Sequence, residues 1–320
     1  MMDFYHKYIF IIGSGAIGKA LAIFLSQAGR KVTMIRGSVD DGRTITRRFA
    51  VEIENGVMHK ADVEVATLNS FSQIDGIVVL ATKSFGNEKL AGALNSKIGD
   101  SPIVLLQNGL GIEQPFLERG YQQVYRCVLF VTSQSIDEVV VRFKPVTTCP
   151  VGIEHGDEEQ LNNIVGHLNT PDFGFMSEVH IQHIIWKKAI INCVFNSVCS
   201  LLEIDNGIFH RNPDALKIAR RVIAECTTIA HAKGIAIQPD DVEHGLVQIS
   251  RLSDGQAIST LQDIRRNNRT EIETLNAEIV RIAEQIHQQD AVREIRLLGE
   301  LTKIKSELSL NLLSERKILI

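Results

Sequence analysis

A glycine run near the start restricts this chain more than any other feature. Gly13-Ser14-Gly15-Ala16-Ile17-Gly18 lies between the apolar run Tyr8–Ile12 and a stretch with helical apolar spacing at Ile17, Leu21, Phe24 and Leu25. G-x-G-x-x-G between a strand and a helix is the first turn of a βαβ unit. The first glycine permits the tight turn, the second lets backbone approach a pyrophosphate, and the third lets helix and strand pack closely. The helix start then offers free N–H groups and a positive dipole end to phosphates. Residues 32–35 read as a second short strand, and 76–81 (GIVVLA) and 103–106 (IVLL) are continuously apolar rather than alternating. Such strands are buried on both faces, which predicts a parallel sheet covered by helices. Residues 124–132 and 139–143 are expected to extend it, and 161–168 to form the last helix of this half.

After the turn cluster Thr170-Pro171-Asp172-Phe173-Gly174 the pattern changes to long helical segments without strands. With 320 residues and roughly 150 per domain, the reading is two domains. Residues 1–177 form an α/β dinucleotide-binding Rossmann domain, and 178–320 form an all-α domain. The 34 basic and 38 acidic residues leave a net charge of −4, unlike the basic balance of a general nucleic-acid binder. The cysteines are Cys127, Cys149, Cys193, Cys199 and Cys226. An odd count without C-x-x-C spacing, mostly in apolar runs, predicts reduced buried thiols and a cytoplasmic location. His180 and His183 lack a third ligand, so no metal is expected. The 14 uncharged residues 189–202 fall short of the ~18 that span a bilayer and read as a buried helix. The N-terminal run reads as a strand, not a signal peptide.

The cofactor follows from the end of the second strand. Arg36 stands there, and no acid precedes Asp40. An arginine at that point favours the 2′-phosphate of NADP, with Arg43, Arg47 and Arg48 nearby in sequence. Lys83 and Asn108 follow the strands at 76–81 and 103–106, at the carboxyl ends where such sheets bind ligands. Lys188, Asn192 and Asn196 share one face of an otherwise apolar helix. Asparagine is a poor helix-interior residue unless it has something to bond, and a buried polar group without a partner costs ~1–3 kcal/mol. The stripe therefore predicts a polar cavity. A partly desolvated lysine has a lowered pKa suited to proton donation. With a nicotinamide cofactor this suggests carbonyl reduction, Lys188 protonating the oxygen. Thr270-x-x-Glu273 reads as a capping box opening a helix with Ile272, Leu275, Ile279 and Ile282 inward and Glu271 in its first turn.

Taken together, these segments resemble the ketopantoate reductase family. The glycine run matches. Lys83 stands where the family has a lysine near the cofactor, and Asn108-Gly109-Leu110-Gly111 is similar to its N-G-x-G segment. Trp186-x-Lys188-x-x-x-Asn192-x-x-x-Asn196 matches its W-x-K-x-x-x-N-x-x-x-N helix, and Ser259 with Leu261-Gln262-Asp263 and Thr270-Glu271-Ile272 matches its serine and LQD…TEI segments. The resemblance implies a Rossmann domain followed by a helical domain of the 6-phosphogluconate dehydrogenase C-terminal kind. It implies NADPH as cofactor, 2-dehydropantoate as substrate, and a place in pantothenate biosynthesis. Lys188 would be the general acid and Glu271 would hold the substrate hydroxyl. Asn192, Asn196 and Ser259 would bind substrate polar groups, and Asn108 both substrate and cofactor. A homodimer is compatible with it; nucleic acid and membrane are not expected partners. Ser197 and Thr260 replace the family's proline and methionine, and its late Thr-Pro-x-Asn stretch is not evident around Gln288 to Arg293. These departures leave open a paralogous reductase of another small 2-oxo acid. A reading from another class, a nucleotide-sensing or nucleic-acid-binding protein using Arg265, Arg266 and Arg269, is opposed by the acidic net charge and the intact Lys188/Glu271 pair.

Overall fold

The structure, a computed structural model, describes residues 8–37, 40–53 and 56–318, except the side chains of 312–318. The seven residues that precede the N-terminal apolar run lie outside the described ones.

Eleven strands form one sheet: β1 (Tyr8–Ile12), β2 (Lys31–Arg36), β3 (Ile45–Glu52), β4 (Met58–Thr67), β5 (Ile77–Leu80), β6 (Ile103–Leu105), β7 (Val124–Cys127), β8 (Val131–Ser135), β9 (Val140–Pro145), β10 (Cys149–His155) and β11 (Phe175–Ser177). Their spatial order is β11-β10-β7-β6-β5-β1-β2-β4-β3-β9-β8. The run β4-β2-β1-β5-β6-β7 is parallel throughout, a doubly wound Rossmann arrangement. Its strands read as continuous apolar runs because helices cover both faces: α1 (Ala16–Gln27) and α4 (Glu158–Leu168) on one, α2 (Asn87–Leu94) and α3 (Gln114–Leu117) on the other. The stretch 124–132, expected as one strand, is two. β7 pairs with β10 and β8 with β9, so the chain leaves one partner before meeting the next.

The helical part comprises α5 (Ile181–Val194), α6 (Ser200–Leu202), α7 (Ile208–Arg211), α8 (Pro213–Ala232), α9 (Pro239–Leu252), α10 (Ser259–Arg265), α11 (Asn276–Gln285) and α12 (Arg293–Ile318). A π-helical turn, Phe195–Cys199, joins α5 to α6. The combined helix Ile181–Leu202 is long and apolar, but 72% of its apolar window is buried within the fold, as in a core helix. All five cysteines are buried thiols, and none forms a disulfide.

The chain divides into two compact units. One runs to Gln107 and resumes over Ile112–Ile181; the other takes Asn108–Gly111 and begins again at Gln182. The main division thus falls four residues beyond the sequence reading at 177, and a four-residue segment of the α/β half belongs with the helices.

Candidate active site

In the sheet unit, the strand order reverses between β1 and β5, the crevice where doubly wound sheets take ligands. Gly13 donates its N–H to the carbonyl of Ile35 at 3.0 Å, and Ala81 donates to that of Ile12 at 2.9 Å, so the ends of β1, β2 and β5 meet here. Gly13 has φ +123°, and a Cβ there would lie 2.7 Å from the carbonyl carbon of Ala81. A Cβ on Gly18 would overlap the carbonyl oxygen of Gly13. Above Gly15, by contrast, a Cβ would meet nothing within 4 Å. Ser14 and Gly15 are exposed, and Ala16 and Ile17 are half-buried at the opening of α1. No side chain caps α1, and its first turn carries no acid. Its first N–H groups remain donors at the positive end of the helix, which is what a pyrophosphate requires. Lys83 is exposed on the turn after β5.

Arg36 ends β2, as the sequence reading required. Its Nη2 donates to Asp41 Oδ1 at 3.0 Å and to the carbonyl of Arg43 at 3.5 Å, while its Nε is buried without a hydrogen-bond partner. The Arg43 backbone N–H and the Arg36 charge hold the Asp41 carboxyl below its usual range. Arg47 and Arg48 turn elsewhere: Arg47 pairs with Glu138 at 2.8 Å and Arg48 with Asp62 at 3.5 Å. Lys19, on α1, lies 5.9 Å from the ring centre of Phe49, and its pKa is lowered by burial and by Arg47. An open backbone cradle at a helix N-terminus, with an orphaned donor on Arg36, fits a nicotinamide dinucleotide.

In the helical unit, Lys188 and Asn192 are half-buried on α5, and Asn196 is 3% exposed in the π-helical turn. The four-residue spacing predicts regular helix here, and the chain instead forms a π turn. A π turn advances fewer degrees per residue, so it keeps Asn196 nearer the line of Lys188 and Asn192; such turns recur at functional sites. Ser197, in place of the family's proline, donates its hydroxyl to the carbonyl of Cys193 at 2.6 Å, giving a carbonyl of the widened turn a partner. The Oδ1 of Asn196 is buried without a partner. Ser200, which continues the four-residue spacing, is fully buried with an unpartnered Oγ, a residue that its small size hides in the sequence. Asn276 is fully buried with both amide atoms unpartnered, and nothing in its sequence context signalled it.

Ser259 is exposed as the first residue of α10, which packs against the π-helical turn. Glu271 is half-buried, and its carbonyl accepts the N–H and hydroxyl of Thr274 at 3.1 and 3.2 Å. The expected capping box does not form. Residues Ile272–Thr274 make a 3-10 turn, α11 starts only at Asn276, and Glu273 reaches Arg269 and Lys303 instead of Thr270. The inward set holds: Ile272, Leu275, Ile279 and Ile282 are all buried. Asn108 is half-buried, and its segment is brought against this stretch. Leu110 donates its N–H to the carbonyl of Thr274 at 2.8 Å, and a Cβ on Gly109 would lie 2.6 Å from that oxygen, so the backbones touch only because residue 109 is glycine.

Residues 9–152 match the family described as Ketopantoate reductase PanE/ApbA, and residues 180–294 match its C-terminal part. A 2-dehydropantoate 2-reductase of Pyrococcus horikoshii is 28% identical over 305 residues, covering 94% of this chain and 98% of its own. Among solved structures, a PanE/ApbA family ketopantoate reductase from Ralstonia eutropha superposes with TM-score 0.81 at 22% identity, over 94% of this chain and 99% of that one. A D-mandelate dehydrogenase with NADH and anilino(oxo)acetate gives 0.81 at 22% over 95% and 99%. A dimeric ketopantoate reductase from Staphylococcus aureus gives 0.79 at 19% over 94% and 99%. At such identities the structures establish the fold, a Rossmann unit followed by a helical unit. With both parts of the family matched along its length, the chain belongs to the ketopantoate reductase family of oxidoreductases.

Proposed function

We propose that this chain is an NADPH-dependent 2-dehydropantoate 2-reductase, forming pantoate in the pantothenate pathway in the cytoplasm. The observation that carries the reading is the polar face of the buried helix, where Asn196 keeps an unpaired buried acceptor beyond Asn192 and Lys188. A fold tolerates such an atom at ~1–3 kcal/mol when something else is meant to bond it.

In this reading Gly13, Ser14, Gly15, Ala16, Ile17 and Gly18 hold the pyrophosphate by backbone donors, Arg36 takes the 2′-phosphate, and Lys83 and Asn108 complete the cofactor contacts. A bound reduced nicotinamide would supply the hydride for the C2 carbonyl. Lys188 gives the proton to the carbonyl oxygen. Asn192, Asn196 and Ser259 hold the remaining polar groups of the substrate, and Glu271 accepts from its hydroxyl. A ligand must not present an unmatched polar group to these side chains, so the pocket discriminates by what it leaves unpaired. The dimeric relative supports a homodimer, and the buried thiols support a reducing compartment.

A second reading, a paralogous reductase of another small 2-oxo acid, is favoured by the likeness to a mandelate dehydrogenase and by Thr260, buried beside Ser259 where the family has methionine. Consumption of NADPH by the purified protein, with 2-dehydropantoate and a panel of 2-oxo acids and with NADH run in parallel, separates the two. Oxidation with 2-dehydropantoate alone supports the first; turnover of an aromatic or branched 2-oxo acid in its place supports the second. Nucleotide binding without turnover of any of them rejects both.

A further inference from the structure

We propose that Asp41 is a specificity-determining residue for the cofactor: it occupies the Arg36 guanidinium and sets a fixed negative charge beside it, and so holds the preference for NADPH over NADH in check. The inference rests on the nicotinamide reading of the glycine turn.

Arg36 ends β2, paired in register with Thr67 at the end of β4. The chain folds back so that Asp41 Oδ1 accepts from Arg36 Nη2 at 3.0 Å and from the Arg43 N–H at 3.1 Å. The next residue, Gly42, donates its N–H to Thr67 Oγ1 at 3.0 Å, which pins the fold-back to the sheet. Asp41 is therefore held by backbone, not by a loose surface side chain. The ion pair is partly shielded, with side-chain exposures of 25% and 35%, so salt screens it less than a fully exposed pair.

Charge arithmetic gives the consequence. A 2′-phosphate carries about −1.5 to −2 at neutral pH. Arg36 is the cation that the strand end presents to it, and Asp41 already neutralises that cation. Arg47 and Arg48 are committed to Glu138 and Asp62 and do not offset the carboxylate; Arg43, the remaining arginine here, acts on the same Asp41 carboxyl as Arg36 does, so Asp41 holds down both cations. Asp40, the other acid here, accepts the N–H of Asn69 at 2.8 Å. A 2′-phosphate must displace Asp41 from Arg36 or bind beside it, and either reduces what Arg36 contributes. A ribose 2′-hydroxyl faces no such penalty. Both bonds of Asp41 use the same oxygen, and a carboxylate has acceptor capacity beyond them for a hydroxyl donor.

The test is direct titration of the whole protein with NADPH and with NADH, followed by nicotinamide fluorescence without substrate, in the wild type and in Asp41→Asn, Asp41→Ala and Arg36→Ala. Asp41→Asn keeps the acceptor for the Arg43 N–H and removes only the charge, and melting curves report whether each variant is folded. The expected result is that both Asp41 variants tighten NADPH about tenfold, as removal of one like charge at contact range implies, while NADH changes less than about threefold. Arg36→Ala should weaken NADPH and leave NADH nearly unaltered. An NADPH-to-NADH ratio that does not move in folded Asp41→Asn and Asp41→Ala overturns the inference and leaves the nicotinamide reading standing. Wild-type protein that binds neither nucleotide overturns that reading, and the inference with it.

Discussion

The two units build their candidate sites from different materials. In the sheet unit the cradle is backbone: the Gly13–Gly18 turn, the uncapped start of α1 and the meeting ends of β1, β2 and β5. In the helical unit it is side chains on a buried helix, with polar atoms left without partners. The first is maintained by steric exclusion, since a Cβ at residue 13 or 18 collides with neighbouring backbone. The second is maintained by tolerating desolvation. Fold and site should therefore fail together in the sheet unit and separately in the helical one.

The largest effect expected is at Gly18. Gly18→Val drives a branched side chain onto the carbonyl of Gly13, an overpacking cost of about 3 kcal/mol or more. Melting temperature should fall by roughly 10 °C, and nucleotide binding should vanish with it. A variant that melts normally yet binds no nucleotide would show the cradle to be separable from the fold, and the comparison would break on that side. Lys188→Ala should do the reverse. Turnover is expected to fall by about 10²–10⁴-fold, the usual share of a general acid, with melting and NADPH affinity nearly unchanged. Normal turnover would remove Lys188 from the chemistry.

How much of this was legible in sequence divides along the same line. The strands β1, β5 and β6 can be read because burial on both faces leaves an unbroken apolar run, and β2 because only Thr33 interrupts its apolar centre. The β3–β4 pair is not legible in the sequence, although Phe49 and Val51, opposite Ala61 and His59, and Val63 and Val65, opposite Arg47 and Ile45, alternate with charged or small residues. Arg47, Arg48, Lys60 and Glu64 dilute the pattern to that of a half-solvated surface. β10 and β11 were hidden because their places depend on partners distant in sequence. In the helical unit the spacing of Lys188, Asn192 and Asn196 is visible, but the π turn beneath Asn196 is not, since spacing does not encode which carbonyl the Ser197 hydroxyl takes. The capping box failed for the same kind of reason: Glu273 found Lys303 on a helix some 30 residues on. Asp41 was passed over because it lies five residues beyond Arg36 and matters only after the chain folds back.

Asn196→Leu sharpens the comparison at smaller scale. The two side chains are similar in size, and the substitution removes a buried acceptor that lacks a partner. Stability should hold or rise by about 1 kcal/mol, part of the desolvation penalty returned. The KM for the oxo acid should rise roughly tenfold or more, the loss of one matched hydrogen bond. A destabilised variant with unchanged KM would mean that Asn196 is bonded within the protein and serves the fold, and the helical unit would then resemble the sheet unit.

The smallest effect is expected one residue on, where the chain departs from its family's proline. Ser197 donates its hydroxyl to the Cys193 carbonyl, four residues back, inside a π-helical turn. Proline has no N–H to give that carbonyl, and in a regular helix it would cost about 3 kcal/mol. In a turn already widened, the missing N–H removes little, and serine and proline become two ways of holding the same local opening. Ser197→Ala keeps the helix-forming backbone but withdraws the hydroxyl, so it should cost about 1 kcal/mol and a few degrees of melting temperature. It should also raise the KM modestly as Asn196 loses its alignment. Ser197→Pro should stay folded and close to wild-type KM. If Ser197→Pro unfolds the protein, the turn depends on the N–H of residue 197 and the hydroxyl is incidental. If Ser197→Ala raises the KM while Ser197→Pro restores it, the opening itself positions Asn196, and the polar face depends on backbone geometry as directly as the glycine cradle does.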